Sequence, residues 1–200
     1  MKTLALVLTF TLLATSAFAQ SWAQNNVGVY FDAGATSNYV DGIGTGELVH
    51  CYVVGTGLTE SAVSGFELKL MTEGPGSRLA DTIFYPTQAA NLANRADEFF
   101  VGFDGPVPTS GEQFVFMEYD VLVTGAGSIC TYIDANYFAS IPGTAAYLGS
   151  DPEVLLPLAN STGDPTDPSG RFAVCSINGL CEGAVPSQDS SWGSVKGLYR

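Results

Sequence analysis

The chain is poor in positive charge and has almost no histidine. Seven lysines and arginines stand against twenty aspartates and glutamates, and His50 is the one histidine. Proteins that grip phosphate do so with Lys and Arg, so this balance argues against nucleic acid and against an anionic membrane surface. Zinc needs clustered Cys and His ligands, and one imidazole does not supply them. A nucleophilic triad would have a single possible base. No G-x-S-x-G elbow is present to hold its serine. Sustained helical periodicity is also missing from the interior of the chain, which leaves little room for an α/β fold. What the formal net charge of −13 permits is solubility outside the cell or affinity for divalent cations.

Long apolar runs are confined to the start. Lys2 precedes the apolar stretch Leu4 to Ala14, and Ala17-Phe18-Ala19 gives the small-x-small pattern of a secretory signal. The run is shorter than the roughly 20 residues that span a bilayer. Residues 1–19 are therefore expected to be a cleaved signal peptide, with cleavage before Gln20. The remainder, about 180 residues, fits one domain and can bury roughly 70% of its unfolded surface. Its expected division is a β-sandwich over 20–182 and a linker with a short amphipathic helix over 183–200.

Short alternating segments fill the middle. Expected strands are Val27–Phe31, Leu48–Val54, Ser64–Met71, Phe99–Phe103, Gln113–Thr124, Ile129–Phe138 and Arg171–Ile177. In SGFELKLM the residues Phe66, Leu68 and Leu70 point inward while Glu67 and Lys69 point to solvent. Thr87 to Asp97 is a candidate helical turn, and Asn160 to Gly170 reads as a polar surface loop. Seven short strands separated by Gly, Pro, Asp and Ser predict an all-β fold, a single sandwich. In the tail, Trp192, Val195 and Tyr199 fall at i, i+3 and i+7, a short helix that would dock on the domain or on a partner.

Four cysteines in an exported chain read as disulfides, with three possible pairings. Cys175–Cys181, closing the turn at Asn178-Gly179, and Cys51–Cys130, tying two strands, are the favoured pair. His50 reads as a strand residue and not as a catalytic base. Gly42-Ile43-Gly44-Thr45-Gly46 lacks the strand-before, helix-after setting of a phosphate loop and reads as a turn. Glu118, Asp120 and Asp134 are the carboxylates that a glycoside hydrolase would draw on, given the right separation in space. Asp32, Asp41, Asp164 and Asp167 are weak calcium candidates; none sits in an EF-hand pattern. Tyr30, Phe66, Phe99, Phe100, Phe103, Phe114 and Phe116 fall in strand patterns and read as core. Tyr39, Tyr147, Trp192 and Tyr199 fall outside them and could form a sugar-stacking surface.

Several segments together resemble a family of secreted bacterial proteins. These begin with N-(I/L/V)-G-(I/V/L)-Y-F-D, continue through V-S-G-(W/F)-E, and close with S-S-G-D-P and a strand ending I-N-G. The matching residues here are Asn26 to Asp32, Leu58 to Glu67 (LTESAVSGFE), Ser161 to Pro165 and Ile177-Asn178-Gly179. An N-P-T triplet of the family is replaced by Gly57-Leu58-Thr59. Ser191 to Lys196 resembles a recurrent ending of exported proteins from such bacteria. The resemblance covers most of the mature chain in short, spaced motifs. It implies a β-sandwich of cohesin-like or immunoglobulin-like outline and supplies no catalytic residues. The expectation is a secreted, non-enzymatic protein of periplasm, cell surface or medium, without cofactor. It would work by binding or surface assembly, with an unknown protein or polysaccharide partner. A carbohydrate-binding module and a small extracellular hydrolase are the alternatives.

Overall fold

A computed structural model describes residues 24–109, 113–151, 153–162 and 172–181. The expected signal peptide, the tail with Trp192, Val195 and Tyr199, and Asp164 and Asp167 lie outside the described residues. Twelve strands are present among those described: β1 (Asn26–Tyr30), β2 (Tyr39–Val40), β3 (Leu48–Thr56), β4 (Ala62–Glu73), β5 (Gly76–Arg78), β6 (Ala89–Asn91), β7 (Glu98–Pro108), β8 (Gln113–Val123), β9 (Ile129–Asp134), β10 (Ala145–Leu148), β11 (Leu155–Asn160) and β12 (Cys175–Ile177). The helical content of these residues is one 3-10 turn, Ala80–Thr82. No helix among them is long and apolar enough to cross a membrane.

One layer runs β5-β8-β3-β1-β11, and the other β2-β12-β9-β4-β7-β6. β10 lies on the same edge of β4 as β9, opposite Gly65 to Glu67. β11 pairs with β10 along its length and with β1 at its end, so it joins the two layers. The alternation read from sequence places the core between them. Val49, Cys51, Val53, Phe116, Tyr119 and Val121 face in from one layer, and Phe66, Leu68, Leu70, Phe99, Ile129 and Ile133 from the other. Each full burial of such a side chain stabilises by about 1.5–3 kcal/mol. Gly65 sits at a bulge between β4 and β7. A Cβ there would collide with the Val101 carbonyl, which is why the bulge carries glycine.

Three expectations need correction. Thr87 to Asp97 forms no helical turn: its centre is the edge strand β6, and the Asn91 side chain accepts from the backbone of Ala93 and Phe100 to turn the chain into β7. The strand expected over Ile129–Phe138 stops at Asp134, whose own carboxylate caps Ala135 N–H at 2.8 Å. The disulfide pairing is also different. Cys130 bonds Cys181, with S–S 1.98 Å and Cα–Cα 5.8 Å, while Cys51 and Cys175 are buried thiols. Strand parity explains it. Cys130 lies between the inward residues Ile129 and Thr131 and therefore faces out, where Cys181 folds back beside Tyr132 and Ala173. Cys51 and Cys175 face the core, so neither meets the partner expected for it.

Candidate functional site

On β7 the residues Phe99 and Val101 point into the core, so Glu98 and Phe100 point out. Phe100 stands opposite Glu67 of β4 on one side. On the other, Leu92 N–H donates to the Phe100 carbonyl at 2.8 Å, continuing the ladder of β6. The loop 135–144, leaving β9, crosses this outer face and is fastened to it at four points. Asn136 Nδ2 donates to the Phe99 carbonyl at 2.8 Å, and Tyr137 N–H to Glu98 Oε1 at 3.0 Å. Ser140 N–H and Oγ donate to the two carboxylate oxygens of Glu67 at 2.8 and 2.9 Å. Hydrogen bonds to a charged group are worth about 1.5–3 kcal/mol each, more than neutral ones. Glu67 is only 2% exposed as a result, although its strand parity points it at solvent.

The loop so anchored presents two aromatic rings to water. Tyr137 is 67% exposed and Phe138 85%, their centroids 4.7 Å apart and their planes at 90°. The Arg95 guanidinium lies over the Tyr137 ring at 4.6 Å, with Nη1 3.5 Å from Glu98 Oε1. Leu92 and Phe100 add 67% and 44% exposure on the same face. Single exposed apolar residues are ordinary, but four large ones gathered on one face form a patch of the kind that marks an interaction site.

The opposite layer carries a second cluster. His50 on β3 faces Asp120 and Glu118 on β8, with Nδ1 2.7 Å from Asp120 Oδ1 and Nε2 3.2 Å from Glu118 Oε2. Tyr52 packs edge-on against the imidazole. Burial is the largest influence on His50 and lowers its proton affinity. The hydrogen bonds to Asp120 and Glu118, with their charges, outweigh it, and the pKa is raised. Both ring nitrogens are thus engaged by acceptors, an arrangement that suits an imidazolium tying two strands. A general base needs a free nitrogen and a nucleophile beside it. Cys51, the next residue, points into the core, and its thiol is pushed up to about 12 by burial.

Among the described residues, the other sequence candidates do not come together. Asp134 belongs to the second layer, opposite Lys69, away from Glu118 and Asp120 in the first. Asp32 caps its own loop, accepting from Thr36 N–H and Oγ1 and from Ser37 N–H. Asp41 accepts from Gly42 N–H. Among the described residues no group of three or more His, Cys, Asp or Glu side chains could hold a metal ion. The glycine run 42–46 is a turn, with Gly44 N–H donating to Glu47 Oε2. Of the off-pattern aromatics, Tyr147 is fully buried, its hydroxyl donating to Asn25 Oδ1 at 2.9 Å. Tyr39 lies on β2, at the opposite edge of its layer from β6. These do not build a sugar-stacking surface.

No family model and no curated protein matches the chain. Solved structures of cohesin modules do. The chain is similar to the seventh type I cohesin of ScaB from Pseudobacteroides cellulosolvens, at 14% identity over 77% of this chain and 90% of that one, with a TM-score of 0.45. It is similar to a cohesin–dockerin complex from Clostridium thermocellum at 12% identity, over 81% and 99%, with a TM-score of 0.44. A non-cellulosomal cohesin from the archaeon Archaeoglobus fulgidus follows at 11% identity, over 69% and 86%, with 0.41. The likeness is one of outline, and no site residue is carried across from it.

Sequence reasoning missed the patch for two reasons. Phe100 was expected in the core, but it lies between two inward residues, Phe99 and Val101, and parity sends it out. Tyr137 and Phe138 were expected at the end of a strand. The signal that could have placed them is the following Ala-Ser-Ile-Pro-Gly, turn chemistry directly after two aromatics.

Proposed function

We propose that the chain is a non-enzymatic binding module of an exported protein, and that it holds a protein partner on the face built by Leu92, Phe100, Tyr137 and Phe138. One observation carries this reading: the two most exposed aromatics among the described residues sit on a loop that two buried carboxylates lock to the sheet. A loop fixed beforehand loses little conformational freedom when a partner binds. Aromatic side chains with a neighbouring Arg are the residue types that dominate binding energy in protein interfaces. A polysaccharide is the less suited ligand, because the Tyr137 and Phe138 rings stand perpendicular and offer no common flat surface on which sugar rings stack. The outward placement also fits a role at the cell surface or in the medium, where a protein with a disulfide persists.

The test compares the wild-type domain with Phe100→Ala/Phe138→Ala in capture from the native extracellular fraction, alongside retention on soluble polysaccharides. A protein held by wild type and by His50→Gln, but lost at least tenfold by the double variant, supports the reading. Equal capture by all three proteins, or retention on a polysaccharide that the double variant abolishes, overturns it.

A further inference from the structure

The two thiols left in the core are not scattered. Cys51 on β3 is the direct cross-strand neighbour of Tyr119 on β8, in one layer. Cys175 on β12 is the direct cross-strand neighbour of Thr131 on β9, in the other. Tyr119 and Thr131 point at each other across the core, both at most 1% exposed, and the Tyr119 hydroxyl lies in electrostatic reach of both thiols. The four side chains thus form one buried level of the sandwich, with a cysteine from each layer. Within it the polar inventory does not close: the Tyr119 hydroxyl has no hydrogen-bond partner at bonding geometry, and the Cys51 thiol donates instead to the Val49 carbonyl at 3.7 Å. With Cys130 and Cys181 already joined on the outer face, no other cysteine remains for either thiol.

We propose that Cys51 and Cys175 form a second disulfide, joining the two layers through the core, and that it is made while the chain folds and not afterwards. The chemistry is thiol–disulfide exchange with an oxidised dithiol or oxidised glutathione. One cysteine thiolate attacks the oxidant's disulfide, forming a mixed disulfide and releasing one thiol. The other thiolate then displaces the second sulfur. Two S–H bonds and one S–S bond become one S–S bond and two S–H bonds, so the oxidant is reduced as the chain is oxidised.

Timing follows from burial. The attacking species is the thiolate, and Cys51 in the folded domain has its thiol pushed up to about 12, with burial the leading cause. Against an ordinary thiol value of 9.0 that is about a thousandfold less thiolate at neutral pH. Cys175 is raised as well, by burial first and by the neighbouring Cys51 charge second. Both sulfurs are also closed to any oxidant that cannot enter the core, being 1% exposed. In the unfolded chain none of these obstacles exists.

The experiment refolds the full chain, without its first nineteen residues, in two ways. One portion folds from denaturant in a reduced/oxidised glutathione mixture. The other folds in reductant and is transferred to oxidised glutathione only when native. Thiols are then counted in denaturant, and linked peptides are mapped by mass spectrometry. The first portion is expected to show no titratable thiol, a Cys51–Cys175 linked peptide, and a mass about four units below the reduced chain, two hydrogens for each bond. The second is expected to keep two thiols for hours. Single variants Cys51→Ala and Cys175→Ala should each leave one free thiol in the first protocol, and Cys130→Ala/Cys181→Ala should leave none. Two free thiols in the first portion of the wild-type chain would overturn the bond. Rapid loss of both thiols in the second would overturn its timing.

Discussion

Replacing Cys130 and Cys181 together by alanine removes a tie between residues 51 apart in the chain. In the chain-entropy account, closing a loop of that size withholds about 4 kcal/mol from the unfolded ensemble at room temperature. The two sulfurs also pack with Ala173 and Tyr132 in the small outer cluster, and withdrawing them costs roughly another 1 kcal/mol of apolar burial. The sum, about 5 kcal/mol, is a large part of the 5–15 kcal/mol that keeps a domain folded. At about 2–4 °C per kcal/mol for a domain of this size, the melting point should fall by about 10–20 °C. Urea unfolding followed by circular dichroism is the assay, without reductant, so that Cys51 and Cys175 are left as they are. The slope of the transition should also rise, because an unfolded chain freed of its tie exposes more surface. A double variant within about 1 kcal/mol of wild type, with an unchanged slope, would refute the claim that this bond acts on the unfolded chain.

Other outcomes follow from single contacts. Glu67→Ala strips Ser140 of both acceptors at a part-buried contact and should cost about 3 kcal/mol in urea unfolding, with Glu67→Gln costing about half; equal and negligible losses would mean the loop is held by something else. Gly65→Ala drives a methyl into the Val101 carbonyl and should destabilise by about 1–3 kcal/mol, whereas Gly102→Ala, which meets nothing, should stay within about 1 kcal/mol. His50 has a folded pKa above its ordinary 6.5, so the proton favours the folded state. Its contribution is fully present below about pH 6.5 and fades as pH rises through the folded value. Because the pair is largely exposed, the span should stay under about 1 kcal/mol. The stability gap between wild type and His50→Gln should therefore be wider at pH 5.5 than at pH 8.5, and the reverse order would refute the clamp. Phe100→Ala and Phe138→Ala should each shift stability by no more than about 0.5 kcal/mol, since both side chains are exposed; a larger loss would make them packing residues.

Alternation over long strands was readable, and it located most of the core. Phe66, Leu68 and Leu70, or Val49, Cys51 and Val53, can be read off because the period of two is unbroken. Short strands were not readable. β2, β5 and β6 are two or three residues long, too short to show a period, and exist because a longer neighbour offers its edge. β10 (AAYL) and β11 (LLPLAN) have no polar alternation to read, since β10 is buried on both faces and β11 joins two layers. The cysteine pairing failed for want of parity across strands whose mutual register sequence does not show. The site was hidden by its own anchoring: Glu67 looks like a solvated strand residue until the loop 135–144, some seventy residues later in the chain, is laid over it.

Four residues of the segments singled out in the sequence have a common structural character. Asp32 holds the loop 32–37 through its carboxylate. Gly65 admits the bulge, and Glu67 fastens the aromatic loop. Asn178, in the left-handed region at φ 57°, accepts from Ile43 N–H at 2.8 Å and donates to Ile43 O at 2.7 Å, pinning the chain before β3. None of these residues is presented to a ligand; all of them set the position of something else. Leu92, Phe100, Tyr137 and Phe138 lie outside those segments. The division is physically sensible. Residues that fix the backbone cannot vary without cost in stability, while an exposed side chain on a fixed loop can change at little cost and alter what is bound. On this reading those four residues set a scaffold, and the proposed partner is specified by the handful of exposed side chains it holds in place. A chain with the same Asp, Gly, Glu and Asn but different residues at positions 92, 100, 137 and 138 would then share this fold and bind something else.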